Sequence, residues 1–290
     1  MKKICPTFWL SVFIFLTAIE VQTTFTQTDV FKKFAGEYIT GHEFGGSTIT
    51  LGSDGLFSDA GGSHDGTRVV TKGNYTLVNG KLMFRVTSST LKLRDEQVID
   101  LLDPVAVKKR YGPNETPTRT ELLRNPIEWS GRIYLIPDDE MNRFVDAVNL
   151  GIEPRPALHS DRYTGSPWFG SFYMRKGDEK IKVAGPAPLP KPWNDLLLSK
   201  PVNAKVIKIF SMEKKGYSTL FTVAINKGSH HGLKAGMKLI LDGEEPDPWS
   251  GPEVVSVEVN TAQVKVRPNR DKLKVGDKIT SVYKPRPLFR

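Results

Sequence analysis

At 290 residues with a net charge of +9, the chain is long enough for two compact domains, and its single cysteine excludes a disulfide-stapled scaffold. Hydrophobic residues make up 39% and charged residues 25%, the balance of a folded protein and not of a disordered or fibrous one. The charge is unevenly placed: residues 198–290 hold 17 Lys or Arg against 9 Asp or Glu, so the basic excess sits in the last third.

The amino terminus reads as an export signal. Lys2 and Lys3 precede an apolar stretch from Phe8 to Ile19, broken only by Ser11 and Thr17. That stretch is shorter than the ~20 residues needed to cross a bilayer, and it has the length and flanks of a secretory signal. Thr24-Phe25-Thr26 is a small-x-small phrase, which puts the expected cut after Thr26 and the mature protein in the periplasm or outside the cell. An uncleaved anchor is the competing reading. Cys5 precedes the apolar stretch, so it is not placed for lipid attachment. The mature chain then has no thiol, and with it no disulfide, thiolate nucleophile or cysteine metal site.

From Phe34 to Val86 short strands alternate with glycine turns. Tyr38-Ile39-Thr40, Thr48-Ile49-Thr50-Leu51 and Leu56-Phe57 are separated by Gly45-Gly46 and by Asp54-Gly55, a strong hairpin signal. Asn79-Gly80 is a second such signal, between Tyr75-Thr76-Leu77 and Leu82-Met83-Phe84. This spacing predicts a β-meander or small barrel. Residues 95–126, rich in Pro, Asn and Thr, read as a loop-bearing connection, and Trp129 to Ile136 as one strand stopped by Pro137. Asp138 is placed to cap a helix over 138–149, in which Met141, Phe144, Val145 and Val148 form an apolar stripe for packing on the sheet and Gly151 marks the end. Phe172 to Arg175 and Ile181 to Val183 are expected to form a hairpin through Lys176-Gly177-Asp178.

Four prolines between Gly185 and Pro192 make a stiff segment that cannot pair fully in a sheet, and they mark the domain boundary. The expected organisation is a signal over 1–26, an N-terminal β domain over 29–184, a proline-rich linker over 185–200 and a basic C-terminal barrel over 201–284. Six short strands are expected in the last unit: 205–210, 218–226, 238–241, 254–259, 262–266 and 278–282. Val254, Ser256 and Glu258 are expected on one face of their strand, with Val255, Val257 and Val259 on the other. A glycine phrase occurs twice here, Leu233-Lys234-Ala235-Gly236-Met237-Lys238 and Leu273-Lys274-Val275-Gly276-Asp277-Lys278, and reads as two turn-to-strand corners.

Candidate chemistry is sparse. His42-Glu43 and His64-Asp65 put a base beside a carboxylate, but neighbours on a strand face opposite sides. Gly61-Gly62-Ser63-His64-Asp65-Gly66 holds the residue types of a hydrolase triad within one glycine loop, whereas triad members come from separate segments in a held geometry. No Gly-x-Ser-x-Gly elbow, phosphate loop, dinucleotide fingerprint or zinc spacing occurs, so no catalytic residue, cofactor or metal is expected. Asn74 and Asn114 begin glycosylation sequons, which matter only in a eukaryotic secretory pathway. Trp129 and Trp193 read as packing residues. The candidate binding surface is made of Trp168, in a proline-flanked loop of the N-terminal domain, and of His230, His231, Asp242, Glu244, Asp247 and Trp249 in turns of the C-terminal barrel.

Three resemblances bear on these readings. The run Gly-x-Tyr, Leu-x-x-Asp-Gly-x-Phe, Gly-x-Tyr near the amino terminus resembles the start of secreted lipocalin-like domains. Ile127 to Pro137, running into Phe144, Ala147, Asn149, Gly151 and Glu153-Pro154-Arg155, resembles a block of uncharacterised secreted bacterial proteins with the same layout. Val223-x-Ile225-Asn226-x-Gly228-Ser229 through Gly232-Leu233 to Gly236-Met237 is similar to the small β-barrels of envelope assembly proteins, such as the periplasmic rod-shape scaffold and flagellar periplasmic factors. The last resemblance implies protein contacts and no chemistry.

The sequence therefore predicts a mainly β, two-domain exported protein that binds or scaffolds in the bacterial envelope. Its expected partners are an envelope protein or an anionic polymer, and not nucleic acid, because its lysines are dispersed. A lipocalin-like carrier of a small molecule is the second reading. A wall-modifying hydrolase using the His42, His64 or His159 loops is the third.

Overall fold

A computed structural model describes residues 26–42, 45–63, 65–154, 172–215, 218–246, 251–268 and 272–283. The first unit comprises α1 (Gln27–Phe34), β1 (Gly36–His42), β2 (Gly45–Leu51), β3 (Leu56–Ser63), β4 (Arg68–Val78), β5 (Lys81–Lys92), β6 (Val98–Asp100), α2 (Pro104–Tyr111), β7 (Glu121–Trp129), β8 (Arg132–Pro137), α3 (Met141–Asn149) and β9 (Tyr173–Arg175). Each strand except β6 pairs antiparallel with the next in the chain, and β9 returns to pair with β1. The result is a closed, eight-stranded up-and-down barrel, which leaves no sheet edge. β6 lies outside it as a short flap on β5.

An eight-stranded barrel encloses just enough width for side chains to fill. Here Tyr38, Tyr75, Leu82 and Leu135 have no exposed surface, and Ile49, Leu51, Phe57 and Phe84 pack among them. α1 covers one end, inserting Val30 and Phe34. The two tyrosine hydroxyls are accounted for: Tyr38 donates to the Phe34 carbonyl (2.9 Å) and Tyr75 to that of Gly52 (2.8 Å). Further along, the inward positions turn polar. The Ser47 hydroxyl donates to Asp59, Tyr173 donates to the same carboxylate (3.4 Å), and Thr71 meets Ser89 (2.9 Å).

The outer face of β7, β8 and β9 is buried as well, because α3 packs on it. Ile127, Trp129, Tyr134, Ile136 and Met174 meet Met141, Phe144 and Val145 in a second core. β8 is therefore apolar on both faces, which explains its unbroken Ile-Tyr-Leu-Ile run.

Several expectations over these residues need correction. Residues 95–126 hold β6, α2 and the start of β7. α2 is announced by Asp103, whose side chain caps Val105 N (2.8 Å), followed by Pro104 at the first helical position. Trp129 to Ile136 is not one strand but the end of β7, a turn and most of β8: Ser130 (φ 54°) and Gly131 (φ 87°) join the two strands. Both central residues have positive φ, which matches strand twist in a two-residue hairpin. Asp138 caps no helix; it lies in a 3-10 turn that runs into α3 and binds Lys81 and Asn125. No hairpin joins 172–175 to 181–183, because β9 is taken up by β1 and β8. Gly61 and Gly62 lie within β3 and not in a flexible loop.

The second sheet contains β10 (Asn203–Lys215), β11 (Ser218–Ile225), β12 (Ile240–Leu241), β13 (Glu253–Val257), β14 (Ala262–Val266) and β15 (Lys278–Thr280), in the order β12-β15-β10-β11-β14-β13. It curls into a half-barrel around Val206, Val223, Ile225, Val254, Val264 and Ile279, and a bridge between Lys238 and Glu253 draws its two edges together.

The two halves of this sheet have matching strand pairings. β10, β11, the Gly236 turn and β12 correspond to β13, β14, the Gly276 turn and β15. Gly236 (φ +88°) and Gly276 (φ +96°) each occupy the third position of a turn closed by the lysine carbonyl two residues before. Each glycine N–H donates to a valine carbonyl, Gly236 to Val254 (2.7 Å) and Gly276 to Val206 (2.8 Å). The same two valines donate back to Met237 (3.0 Å) and Asp277 (2.9 Å). The doubled phrase thus locks the start of each half to the end of the other.

One alternation fails. Val254 pairs with Val264 and Ser256 with Gln263, so Val255 is the extra residue of a bulge. Val254 and Val257 consequently face the core while Val255 and Val259 are exposed. β10 has two bulges of the same kind, at Ile207 and Phe210, and both extra residues point outward.

Residues 185–200 run between the two sheets without forming a strand, yet they are packed: Ala187 and Leu189 are buried and Trp193 lies against the α3 core. α3 is the junction. Its Asn149 side chain donates to the Leu196 carbonyl (2.9 Å) and accepts from Leu198 N (2.8 Å), and Tyr283 N donates to the Leu150 carbonyl (2.9 Å). Asp146, on the face of α3 away from the barrel, accepts from Lys238 N (3.1 Å).

Candidate functional site

The first concavity lies on the outside of the half-barrel, where β12, β15 and β10 run side by side. Ala204, Ile279 and Leu241 point into the core, so the residues alternating with them point out. Cross-strand register sets two outward rows. Ile240, Thr280 and Asn203 form one; Lys278 and Lys205 form the other, with Asp242 beside Lys278, to whose carbonyl its N–H donates (2.9 Å). Tyr283, Val282 and the 242–245 turn complete a cleft of about 270 Å³.

Its chemistry is that of recognition. The Thr280 hydroxyl donates to Asn203 Oδ1 (2.9 Å) and accepts from Val282 N (3.0 Å), which leaves it held and not poised as a nucleophile. Lys205 and Lys278 sit directly opposite one another with no ion pair among the described residues. Two like charges side by side on a strand pair are destabilising unless something anionic meets them. Asp242, Glu244 and Glu245 form the opposing acidic lip. Small-molecule sites usually enclose about 300–1,000 Å³, and this cleft lies at the small end of that range.

Asp242 and Glu244 are thus brought into one cleft. His230 and His231 are not part of it. They occupy a 3-10 turn at 229–231 and line a second groove of about 540 Å³, in which Asn203 is the one residue shared with the cleft. Asp247, Trp249 and Trp168 lie outside the described residues, as do His64 and His159, and of His42 only the backbone is described. Trp129 and Trp193 are packing residues; the Trp129 indole donates to the Ala184 carbonyl (3.2 Å). Among the described residues no three His, Cys, Asp or Glu side chains converge as a metal shell requires.

No protein-family model matches this chain. No curated protein and no solved structure matches it either. What it does has to be read from its own surfaces.

Three residues that shape those surfaces were not marked in the sequence. Arg132 is 1% exposed and ties the β7–β8 hairpin to its surroundings. It bonds Glu153 and the Ile181 carbonyl, and reaches Tyr134 (2.9 Å) and the Asp178 carbonyl (3.1 Å). Asp146 is buried between α3 and the half-barrel, and that desolvation pushes its carboxyl up to about 7 against the pull of Lys238 N–H and the Lys238 charge. Asp59, inside the barrel, is likewise pushed up by burial although Ser47, Arg124 and Tyr173 counteract it. An acidic or basic residue inside an apolar run was the available signal, visible at Arg132 between Trp129 and Tyr134.

Proposed function

We propose that this protein is an exported, non-catalytic binding or scaffolding component of the bacterial envelope or extracellular space, with the half-barrel as its contact surface. The observation that carries the reading is the cleft formed by Asn203, Lys205, Lys278, Thr280, Asp242 and Tyr283, in which charged side chains line a concavity and the one central hydroxyl is already bonded. The amino-terminal export phrase and the resemblance to envelope-assembly barrels support the compartment and the partner class, an envelope protein or an anionic polymer. Two rigid β units joined through α3 suit a scaffold, since the contact surface is held in a fixed relation to the barrel.

The packed barrel interior favours this reading over a lipocalin-like carrier: an apolar ligand would have to displace Tyr38, Tyr75 or Leu82, none of which leaves room beside it. Among the described residues, no helix is long and apolar enough to cross a membrane.

A photo-crosslinking amino acid at Thr280, introduced into the full chain in its own cells, is expected to give a discrete adduct. The same group at exposed Val98, on the β6 flap beside the barrel, is expected to give none. Equal labelling from both positions, or no adduct from either, would sink the proposal.

A further inference from the structure

The second groove of the half-barrel has a composition that the cleft does not. It is lined by Lys200 and Asn203 on one wall and by Lys227, His230 and His231 on the other, with no carboxylate in its lining. Glu258, on the strand end that holds the turn, is engaged by the Thr261 hydroxyl (2.8 Å). Neither Lys200 nor Lys227 has an ion pair among the described residues.

The protein neighbours of the His231 ring are both hydrogen-bond donors. Lys227 Nζ lies 3.1 Å from its Nε2, and Gly228 N lies 3.4 Å from its Nδ1. A neutral imidazole has one N–H and one acceptor nitrogen, and an imidazolium has two N–H groups. In either form at least one ring N–H faces another donor, so the protein groups around this ring present N–H groups and no carboxylate or carbonyl. His230 stands edge-on to His231 with ring centroids 5.6 Å apart, and cannot supply an acceptor when protonated.

The turn is held in place before any ligand arrives. Ser229 N donates to the Glu258 carbonyl (2.8 Å) and His230 N to that of Val259 (3.0 Å). A Cβ at Gly228 would lie 2.2 Å from the Glu258 carbonyl oxygen, so this approach requires glycine. The side chains are therefore presented on a fixed backbone, which lowers the ordering cost of binding.

We propose that this groove binds a ligand carrying a phosphate ester, with Lys200 and Lys227 as its fixed positive charges and His230 and His231 as further donors. The inference rests on the half-barrel being a binding surface and names the chemistry of one part of it. Two ammonium groups match the roughly −1.5 to −2 charge of a phosphate monoester at neutral pH. The donors come from two chain segments lining the groove, and a tetrahedral group with three free oxygens can accept from more of them at once than the two oxygens of a carboxylate. The groove is also larger than one phosphate, leaving space for the group it esterifies. Phosphate-bearing lipid headgroups and soluble phosphate esters share this chemistry.

The histidine C–H resonances of the purified protein, followed by NMR with glycerol 1-phosphate, citrate and vesicles containing phosphatidic acid, a lipid phosphate monoester, test the proposal. Desolvation, Lys227 and His230 lower the His231 pKa in the free protein, so a bound phosphate is expected to raise its titration midpoint. Lys227→Gln and Lys200→Gln are each expected to weaken binding by about tenfold, more at low salt, as loss of a charge-assisted contact would. Lys278→Gln, in the neighbouring cleft, is expected to leave it unchanged. Binding of soluble glycerol 1-phosphate assigns the site to soluble esters, and binding of vesicles alone assigns it to a lipid headgroup. Citrate bound as tightly as the phosphate ester, an unresponsive His231, or unchanged affinity in both lysine variants would overturn the inference. None of these results depends on the Thr280 adduct, so the two readings fail separately.

Discussion

Arg132 shows how much of this fold hangs on single polar side chains inside apolar layers. Its guanidinium satisfies the Glu153 carboxylate, a phenol and backbone carbonyls at once, so truncation strands several acceptors together. Arg132→Ala is expected to destabilise the protein by about 3–5 kcal/mol in urea unfolding, the cost typical of breaking a buried ion pair by removing one partner. Asp146 acts through its proton. Burial holds its carboxyl at about 7 in the folded protein, above the ~3.9 of an unfolded chain. Between those limits the folded state binds the extra proton, so the contribution is complete below about pH 4 and is lost as the pH rises to about 7. Asp146→Asn keeps an oxygen for Lys238 N–H and removes the titration. Its stability relative to the parent protein is expected to rise by at most about 1.4 kcal/mol per pH unit between pH 4 and 7, then level off. A flat difference across that range would show that Asp146 ionises normally.

At the scale of elements, α1 depends on the chain just ahead of it. Thr26 is its N-cap, with the Asp29 backbone N–H bonded to the Thr26 hydroxyl (3.3 Å) and the Asp29 carboxylate bonded back to Thr26 N (3.2 Å). A cut after Thr26 would remove that cap from the helix closing one barrel end. A chain beginning at Gln27 is therefore expected to be less stable than one beginning at Thr24 by about 0.5–2 kcal/mol, measured by denaturant midpoint. The sequence carried this signal, Thr-x-x-Asp before Val30 and Phe34, but the export phrase overlapped it. β7 and β8 were hard to separate for a different reason. The turn is only two residues, Ser130-Gly131, and it has Ser where the strongest hairpin signatures have Asn or Asp at the first left-handed position. α3 was legible because its Met141, Phe144, Val145 stripe has helical spacing on one face. Its opposite face was not, since Asp146 looks solvent-directed until the half-barrel covers it.

For the whole molecule, α3 couples the two units. Asn149 bonds both Leu196 and Leu198, Leu150 receives Tyr283 N–H, and Ile240 of the half-barrel joins the core that α3 makes with the barrel. Asn149→Ala leaves a partly buried carbonyl and N–H without partners and is expected to cost about 1–3 kcal/mol. Because that loss falls at the junction, calorimetry is expected to resolve two transitions in the variant where the parent protein unfolds in one. A single transition in both would show that coupling runs through the apolar contacts alone. The half-barrel's basic excess has a distribution that follows from the same architecture: Lys205 and Lys278 meet on adjacent strands, and Lys200 and Lys227 meet across a groove. Spread along the chain they looked dispersed; strand pairing gathers the first two and the packing of loops the second two.

The sequence by itself determined some of the local structure: the Asp54-Gly55 and Asn79-Gly80 turns, the α3 stripe and the twin corners at Gly236 and Gly276. These depend on φ restrictions and side-chain periodicity, which act between neighbours. Tertiary structure decided what depends on distant partners. It closed β9 onto β1, placed the bulges that turned Ile207, Phe210 and Val255 outward, buried Arg132 and Asp146, and separated Asp242 from the two histidines. Barrel closure and strand register bring together residues far apart in the chain, and no local propensity encodes which of them will meet.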